Sequence, residues 1–325
     1  MVAVIGTGSI GSRHLRAFRQ MGDVTPVAVP VRGQRRAALA QERYATADDL
    51  ISAAEMGATL GVVATDTRRH LDDALAALDQ GMDLLVEKPL AVDAAQADRL
   101  RGHARDKGRR LFVGCVLRFS ESLNRFRELL PRMGTVHSVR IECQSYLPHW
   151  RPARPYRESY SARSGEGGVL RDLIHEIDYA GWLYGWPAAV YARLRNLGRL
   201  GLEVDEAADL LWETPGGCSV SVTLDYLSRP SRRRMRAAGE RGSLEWDFME
   251  GTVTLVQGDD PPQVIRSSQR FEDLFLVQDR AFVRACDGYS DPRLATGDDG
   301  VRALAVCDAA RRASESRRET EVRYP

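Results

Sequence analysis

The sequence predicts an α/β fold in two parts: a parallel sheet wrapped by helices over residues 1–120, then an α+β domain on a mostly antiparallel sheet over residues 121–325. Three observations carry this. Short apolar runs alternate with helical periods through the first third, a glycine-rich turn directly follows the first run, and near residue 120 the rhythm changes to closely spaced strands. A length of 325 residues fits about two domains, and a hydrophobic share of 43% fills sizeable cores.

In the first domain the strand candidates are Val2 to Ile5, Pro26 to Val29, Leu60 to Ala64, Leu84 to Val86 and Leu111 to Cys115, with helices expected near 10–21, 34–43, 69–80 and 93–107. These strands lack period-two alternation, which implies burial on both faces beneath two layers of helices. The second domain opens with a helix near 121–131 and a strand at Val136 to Gln144. An aromatic and arginine-rich stretch through Gly168 follows, then a helix from Val169 to Tyr184. Later strands are expected at Val190 to Arg195, Ala207 to Glu213, Cys218 to Tyr226, Met235 to Gly239, Ser243 to Asp247 and Thr252 to Val256. Gly216-Gly217 and Glu240-Arg241-Gly242 supply hairpin turns. Helices near 271–287 and 298–316 close this domain, the last of them able to pack back on the first.

Gly6-x-Gly8-x-x-Gly11 lies directly after the first strand and opens a helix, the context in which this spacing signals a dinucleotide. Glycine there turns the chain tightly, admits a pyrophosphate to the backbone and lets helix pack on strand, while the helix N-terminus offers free N–H groups. Gly6, Thr7, Gly8, Ser9, Ile10 and Gly11 are the expected contacts. At the end of the second strand, where a carboxylate would bind the ribose hydroxyls of NAD, the chain reads Pro30-Val31-Arg32-Gly33, with Arg35 and Arg36 following. Arg32 with Arg35 or Arg36 could grip a 2′-phosphate, so NADP(H) is favoured over NAD(H); the plainer reading is that these arginines begin a surface helix.

Forty-six basic residues against 45 acidic ones give a net charge of +1, and the arginines are scattered among acids. No footprint for nucleic acid is visible. Cys115, Cys143, Cys218, Cys286 and Cys307 are odd in number, far apart and without a Cys-x-x-Cys pair, which argues against a disulfide framework or structural zinc; no metal is expected. Val2 to Ile5 already reads as a strand, which leaves no room for a signal peptide, and no run approaches a membrane span. A cytoplasmic location is expected. Only two of the basic residues are lysines, and one, Lys88, stands in Glu87-Lys88-Pro89 after the apolar run Met82 to Val86. Where arginine serves most needs for positive charge, a retained lysine hints at a compact ammonium that approaches a ligand or titrates; the alternative is a solvated loop charge.

Gly6-Thr7-Gly8-Ser9-Ile10-Gly11-x-x-His14, Ala64-Thr65-x-Thr67-x-x-His70, Glu87-Lys88-Pro89, Arg118-Phe119 and the run from Gly167 to Asp178 resemble the Gfo/Idh/MocA oxidoreductases along essentially the whole chain. The family is named for glucose-fructose oxidoreductase and inositol dehydrogenase. The resemblance implies an N-terminal Rossmann domain, a C-terminal α+β domain whose large open sheet often mediates homodimers or homotetramers, and a substrate cleft between them. It also implies hydride transfer between nicotinamide and a carbon of a sugar, cyclitol or nucleotide sugar. Thr65, Thr67, His70, Glu87 and Lys88 would then line the cofactor and Arg118 the substrate. Tyr156 to Arg163 followed by Asp172-x-x-His175 looks like a branch common in surface-polysaccharide and deoxysugar pathways. Two positions depart from the family: Asp66 replaces the usual proline, and Asp172 and His175 are three apart rather than four.

Oxidising a secondary alcohol requires a base for the hydroxyl proton, and the reverse reaction requires an acid at the same place. His175 is the candidate, with an ordinary pKa of about 6.5. Asp172, one turn earlier on the same helical face, would orient its ring, and Gly167-Gly168 would admit a ligand closely. Lys88 would donate to the reacting oxygen, with Pro89 fixing its local backbone. Lysine could itself carry the proton. His14 and His70 are expected in structural or cofactor-loop roles. His149, Trp150, Arg151, Tyr156, Arg157 and Tyr160 offer planar and cationic groups for a sugar face, a phosphate or a carboxylate, and equally for an interdomain or oligomer contact. Two further readings remain at this level: tightly held NAD used for transient oxidation in elimination or epimerisation, and a dinucleotide-binding sensor without catalysis.

Overall fold

The computed structural model describes residues 1–151 and 155–325, so residues 152–154 of the aromatic and arginine-rich stretch lie outside the described residues. In chain order the elements of the first part are β1 (Val2–Ile5), α1 (Ser9–Met21), β2 (Pro26–Val29), α2 (Gln34–Gln41), β3 (Ala45–Thr46), α3 (Leu50–Glu55), β4 (Leu60–Val63), α4 (His70–Asp79), β5 (Asp83–Glu87), α5 (Ala94–Asp106) and β6 (Leu111–Gly114). Then come α6 (Glu121–Leu129), β7 (Val136–Gln144), α7 (Val169–Asp172), α8 (His175–Tyr184), β8 (Ala189–Arg195), β9 (Ala207–Glu213) and β10 (Ser219–Asp225). The chain ends with β11 (Arg232–Gly239), β12 (Gly242–Asp247), β13 (Thr252–Gln257), β14 (Gln263–Arg266), α9 (Phe271–Cys286), β15 (Ala295–Thr296), α10 (Gly297–Ser316) and β16 (Thr320–Glu321). These elements form two compact units, one of Met1–Phe119 with Arg270–Val301, the other of Ser120–Gln269 with Arg302–Pro325.

In the first unit six parallel strands lie in the order β3-β2-β1-β4-β5-β6, and the short β15 pairs antiparallel with β6. The order reverses between β1 and β4, the switch point beyond whose strand ends nucleotides bind in doubly wound sheets. Val2, Val4, Val62 and Leu85 from the strands pack with Leu15 and Phe18 of α1, and every residue of β1 is buried, as a strand covered on both faces must be. Ala281, Phe282 and Ala285 of α9 complete this core. The sequence placed that helix with the second domain. Its apolar period shows that one face needs cover, but not which sheet provides it. β3 and α3, two and six residues long, are too short to leave a readable period; α3 is marked only by Asp49, whose side chain accepts the Ser52 amide.

The second unit holds nine strands in the order β14-β13-β12-β11-β7-β10-β9-β8-β16, antiparallel except for β7 against β10. Helices α6 and α8 pack on this sheet, where Trp246 donates to Ser122 Oγ at 2.9 Å and meets the Tyr179 ring edge-on. Burial alternates along β11: Met235 and Ala237 are buried, Arg234 and Arg236 exposed. The helix expected from Val169 to Tyr184 is two helices, broken at Leu173 and Ile174, with Leu173 at φ −98° and ψ 33°. Neither proline nor glycine marks the break. Among the described residues no helix is long and apolar enough to cross a membrane.

Candidate active site

The glycine-rich turn is built by contact. Gly6 has φ +84°, and a Cβ there would lie 2.8 Å from the Ala64 carbonyl oxygen; a Cβ on Gly11 would lie 1.9 Å from that of Gly6. Gly8 is different: nothing lies within 4 Å of the position its Cβ would take, and it precedes α1 without a side-chain cap or an acidic residue in the first turn. Open space, uncapped N–H groups and the positive helix end fit a pyrophosphate. Thr7 is buried, and Ser9 and Ile10 form the first turn of α1.

Past β2, the three arginines separate. Arg36 pairs with Asp48, and Arg35 stands 3.5 Å from Glu42 in a groove it lines with Ser12, Arg16 and Arg19, while Arg32 is exposed. Beyond β4, Thr65 and the buried Thr67 lead into His70. Asp66 has φ −67° and ψ 144°, a path that proline would also take.

His70 is buried at the start of α4, with Nδ1 2.8 Å from the Pro89 carbonyl and Nε2 3.1 Å from that of Thr65. Burial holds its pKa below the ordinary value. The Lys88-Pro89 peptide is cis. Glu87 turns its carboxylate inward, accepting the Lys88 amide on Oε2 at 3.2 Å and facing His14 Nε2 with Oε1 at 3.1 Å. Gly114 on the neighbouring strand makes this room, since a Cβ there would lie 2.8 Å from Glu87 Oε1. His14 Nδ1 in turn meets both oxygens of Asp279, on α9, at 2.9 Å. Burial alone would lower the His14 pKa, but the two carboxylates push it up to about 10. Lys88 is half-buried, whereas Lys107 forms a surface ion pair with Asp79. Arg118 is 2% exposed, its Nη1 3.4 Å from Asp299.

In the second unit Asp172 accepts two tyrosine hydroxyls, Tyr160 at 2.6 Å on one oxygen and Tyr226 at 2.7 Å on the other. Burial, then the Asp172 charge, holds both phenols far above their usual pKa, so both remain donors. Arg151 lies over the Tyr160 ring at 5.4 Å, and Trp150 meets the Tyr226 ring edge-on at 5.4 Å while donating to Ser145 Oγ. Trp150, Arg151, Tyr160 and Asp172 thus come together. Tyr156 and Arg157 instead donate to the Leu200 and Gly201 carbonyls. Asp172 and His175 share no continuous helix, since Asp172 ends α7 and the buried His175 begins α8.

Gly167 and Gly168 serve protein packing. A Cβ on Gly167 would lie 2.3 Å from the Ser161 carbonyl oxygen, and one on Gly168, at φ +97°, 2.4 Å from Asp205 Oδ1. The chain itself occupies the space that a side chain on either glycine would need. Sequence reasoning missed Tyr226, which directly follows β10, and Asp279, a buried carboxylate beside the buried Gln278 on α9.

These features define a nucleotide-dependent oxidoreductase of the doubly wound class. Residues 1–115 match the model of the oxidoreductase family with an NAD-binding Rossmann fold, and residues 127–245 match the GFO/IDH/MocA C-terminal domain. The chain belongs to the Gfo/Idh/MocA oxidoreductase family. It is 29% identical to the myo-inositol dehydrogenase Hyg17 of Streptomyces leeuwenhoekii over 97% of each chain. It is 27% identical to the rhizopine catabolism protein MocA of Rhizobium meliloti over 95% of this chain and 93% of that one. Among solved structures, an oxidoreductase domain protein from Kribbella flavida superposes with a TM-score of 0.87 at 23% identity, covering 99% and 98% of the two chains. Levoglucosan dehydrogenase in complex with NADH and L-sorbose superposes with a TM-score of 0.88 at 17% identity, over 99% and 98%.

Proposed function

We propose that this oxidoreductase moves a hydride between a nicotinamide dinucleotide and a hydroxyl or keto carbon of a sugar or cyclitol, with residues 1–120 serving the dinucleotide and residues 121–325 the substrate and self-association. The observation that carries the reading is Lys88, a half-buried lysine directly after β5 in a chain whose positive charge is otherwise almost all arginine. Bound at the Gly6 to Gly11 turn, the nicotinamide dinucleotide supplies the hydride donor or acceptor. Lys88 donates a hydrogen bond to the reacting oxygen, polarising a carbonyl or lowering the pKa of an alcohol. His175 takes or returns the hydroxyl proton. Asp172 holds Tyr160 and Tyr226, and with Trp150 and Arg151 they form a planar and cationic wall suited to a polyol ring.

NADP(H) is the preferred cofactor in this reading because no carboxylate follows β2 and Arg32 is exposed there; Arg35 and Arg36 are already paired with acids and contribute less. The exposed face of the nine-stranded sheet is the surface for a homodimer or homotetramer. Initial rates with NAD(H) and NADP(H) across a panel of sugars, cyclitols and nucleotide sugars test the assignment, with thermal shifts as a binding control. Dinucleotide binding without turnover across the panel would support a sensor instead.

A further inference from the structure

His14 is a fully buried histidine with a carboxylate on each ring nitrogen: Glu87 at 3.1 Å on Nε2 and Asp279 at 2.9 Å on Nδ1. A neutral imidazole has one N–H and could donate to only one of them, so with both carboxylates ionised this geometry calls for the imidazolium. The chain of contacts continues through Glu87, whose second oxygen receives the Lys88 amide, while His70 holds the Pro89 carbonyl on the far side. Three elements distant in sequence, α1, β5 and α9, therefore converge on the backbone at one lysine.

Buried ion triads are weak devices for stability, because desolvation consumes most of the attraction, and apolar packing would serve that purpose as well. What such a triad does supply is direction. Phe275 closes the ring edge-on at 5.3 Å, and Gly114 leaves room for the Glu87 carboxylate to turn inward.

We propose that His14 is a positioning residue for Lys88: as a doubly donating imidazolium it ties Glu87 to Asp279, and through the Glu87 carboxylate it fixes the backbone from which the Lys88 ammonium extends. This rests on the reading that Lys88 contacts the reacting oxygen. A displacement on the order of 1 Å at such a contact costs on the order of 100-fold in rate.

The composition supplies the test. With only two lysines in the chain, selective ¹⁵N-lysine labelling yields two backbone amide signals, Lys88 and Lys107, and the Lys107 amide, bonded to the His103 carbonyl, is an internal reference. In His14→Gln the Lys88 signal should shift and its amide exchange accelerate while Lys107 stays in place. Turnover of the panel compound that the wild type converts fastest should fall on the order of 100-fold in kcat, with dinucleotide affinity retained. Asp279→Asn, which keeps the shape and removes one charge, should move the Lys88 signal in the same direction and carries the test if His14→Gln does not fold. An unmoved Lys88 signal in a folded variant overturns the proposal, as does a moved signal with wild-type kcat. Lys88→Arg separates the two readings: if it retains full turnover, the catalytic role of Lys88 fails, whatever the amide signals show.

Discussion

The two units bury their key carboxylates by opposite means. Glu87 and Asp279 in the first unit share a cation, His14, whereas Asp172 in the second is met by two neutral phenols that burial keeps protonated. The first arrangement is tied to charge, so it depends on pH and on each member. In the second the donors are neutral, and burial with the Asp172 charge keeps both phenols protonated well above their usual range. A segment aimed by a charged relay and a wall held by tyrosines thus fail under different conditions, which makes the contrast measurable.

The largest expected effect is at Lys88. Lys88→Arg keeps the charge but not the compact ammonium, and kcat/KM should fall about 10²- to 10⁴-fold, measured by steady-state kinetics. Lys107→Ala, at the exposed pair with Asp79, should leave both rate and Tm unchanged. Next comes the charged relay: Asp279→Asn leaves a buried imidazolium with one carboxylate and should cost about 3–5 kcal/mol in urea unfolding.

The pH dependence follows from the sign of the His14 shift. Its folded pKa of about 10 lies above the ordinary 6.5, so its contribution is full below 6.5 and is lost as pH rises toward 10. Wild-type Tm should decline across that window, and Asp279→Asn, which removes a cause of the raised pKa, should flatten the decline. Smallest is the neutral cluster: Tyr226→Phe removes one donor to Asp172 and should cost about 1–3 kcal/mol, with the loss constant from pH 6 to about 9, below phenol ionisation. A loss that grew with pH in that range would erase the contrast between the units.

Much of this was legible in the chain. Unbroken apolar strands, the spacing of Gly6, Gly8 and Gly11, and Lys88, one of two lysines, pointed to a parallel nucleotide-binding sheet and to a cation set apart from the arginines. The arginines after β2 were legible as charges, but not their partners Glu42 and Asp48, because ion pairs are made by side chains whose reach depends on the folded surface. Asp172 was recognised as a site residue from its helical spacing to His175, but the break at Leu173 and the two tyrosine hydroxyls on its oxygens were not legible, because both depend on how distant segments pack.

The sequence alone determined the strand and helix periods, the need for glycine at the tight turn and the residue types available for chemistry, because these depend on local sterics and on which faces are apolar. Tertiary structure alone decided that α9 would cover the nucleotide sheet, that Gly167 and Gly168 would admit Ser161 and Asp205, and that His14 would find a carboxylate on each nitrogen. Those outcomes turn on contacts between residues as much as 265 positions apart, as His14 and Asp279 are, and no local preference encodes a partner at that distance.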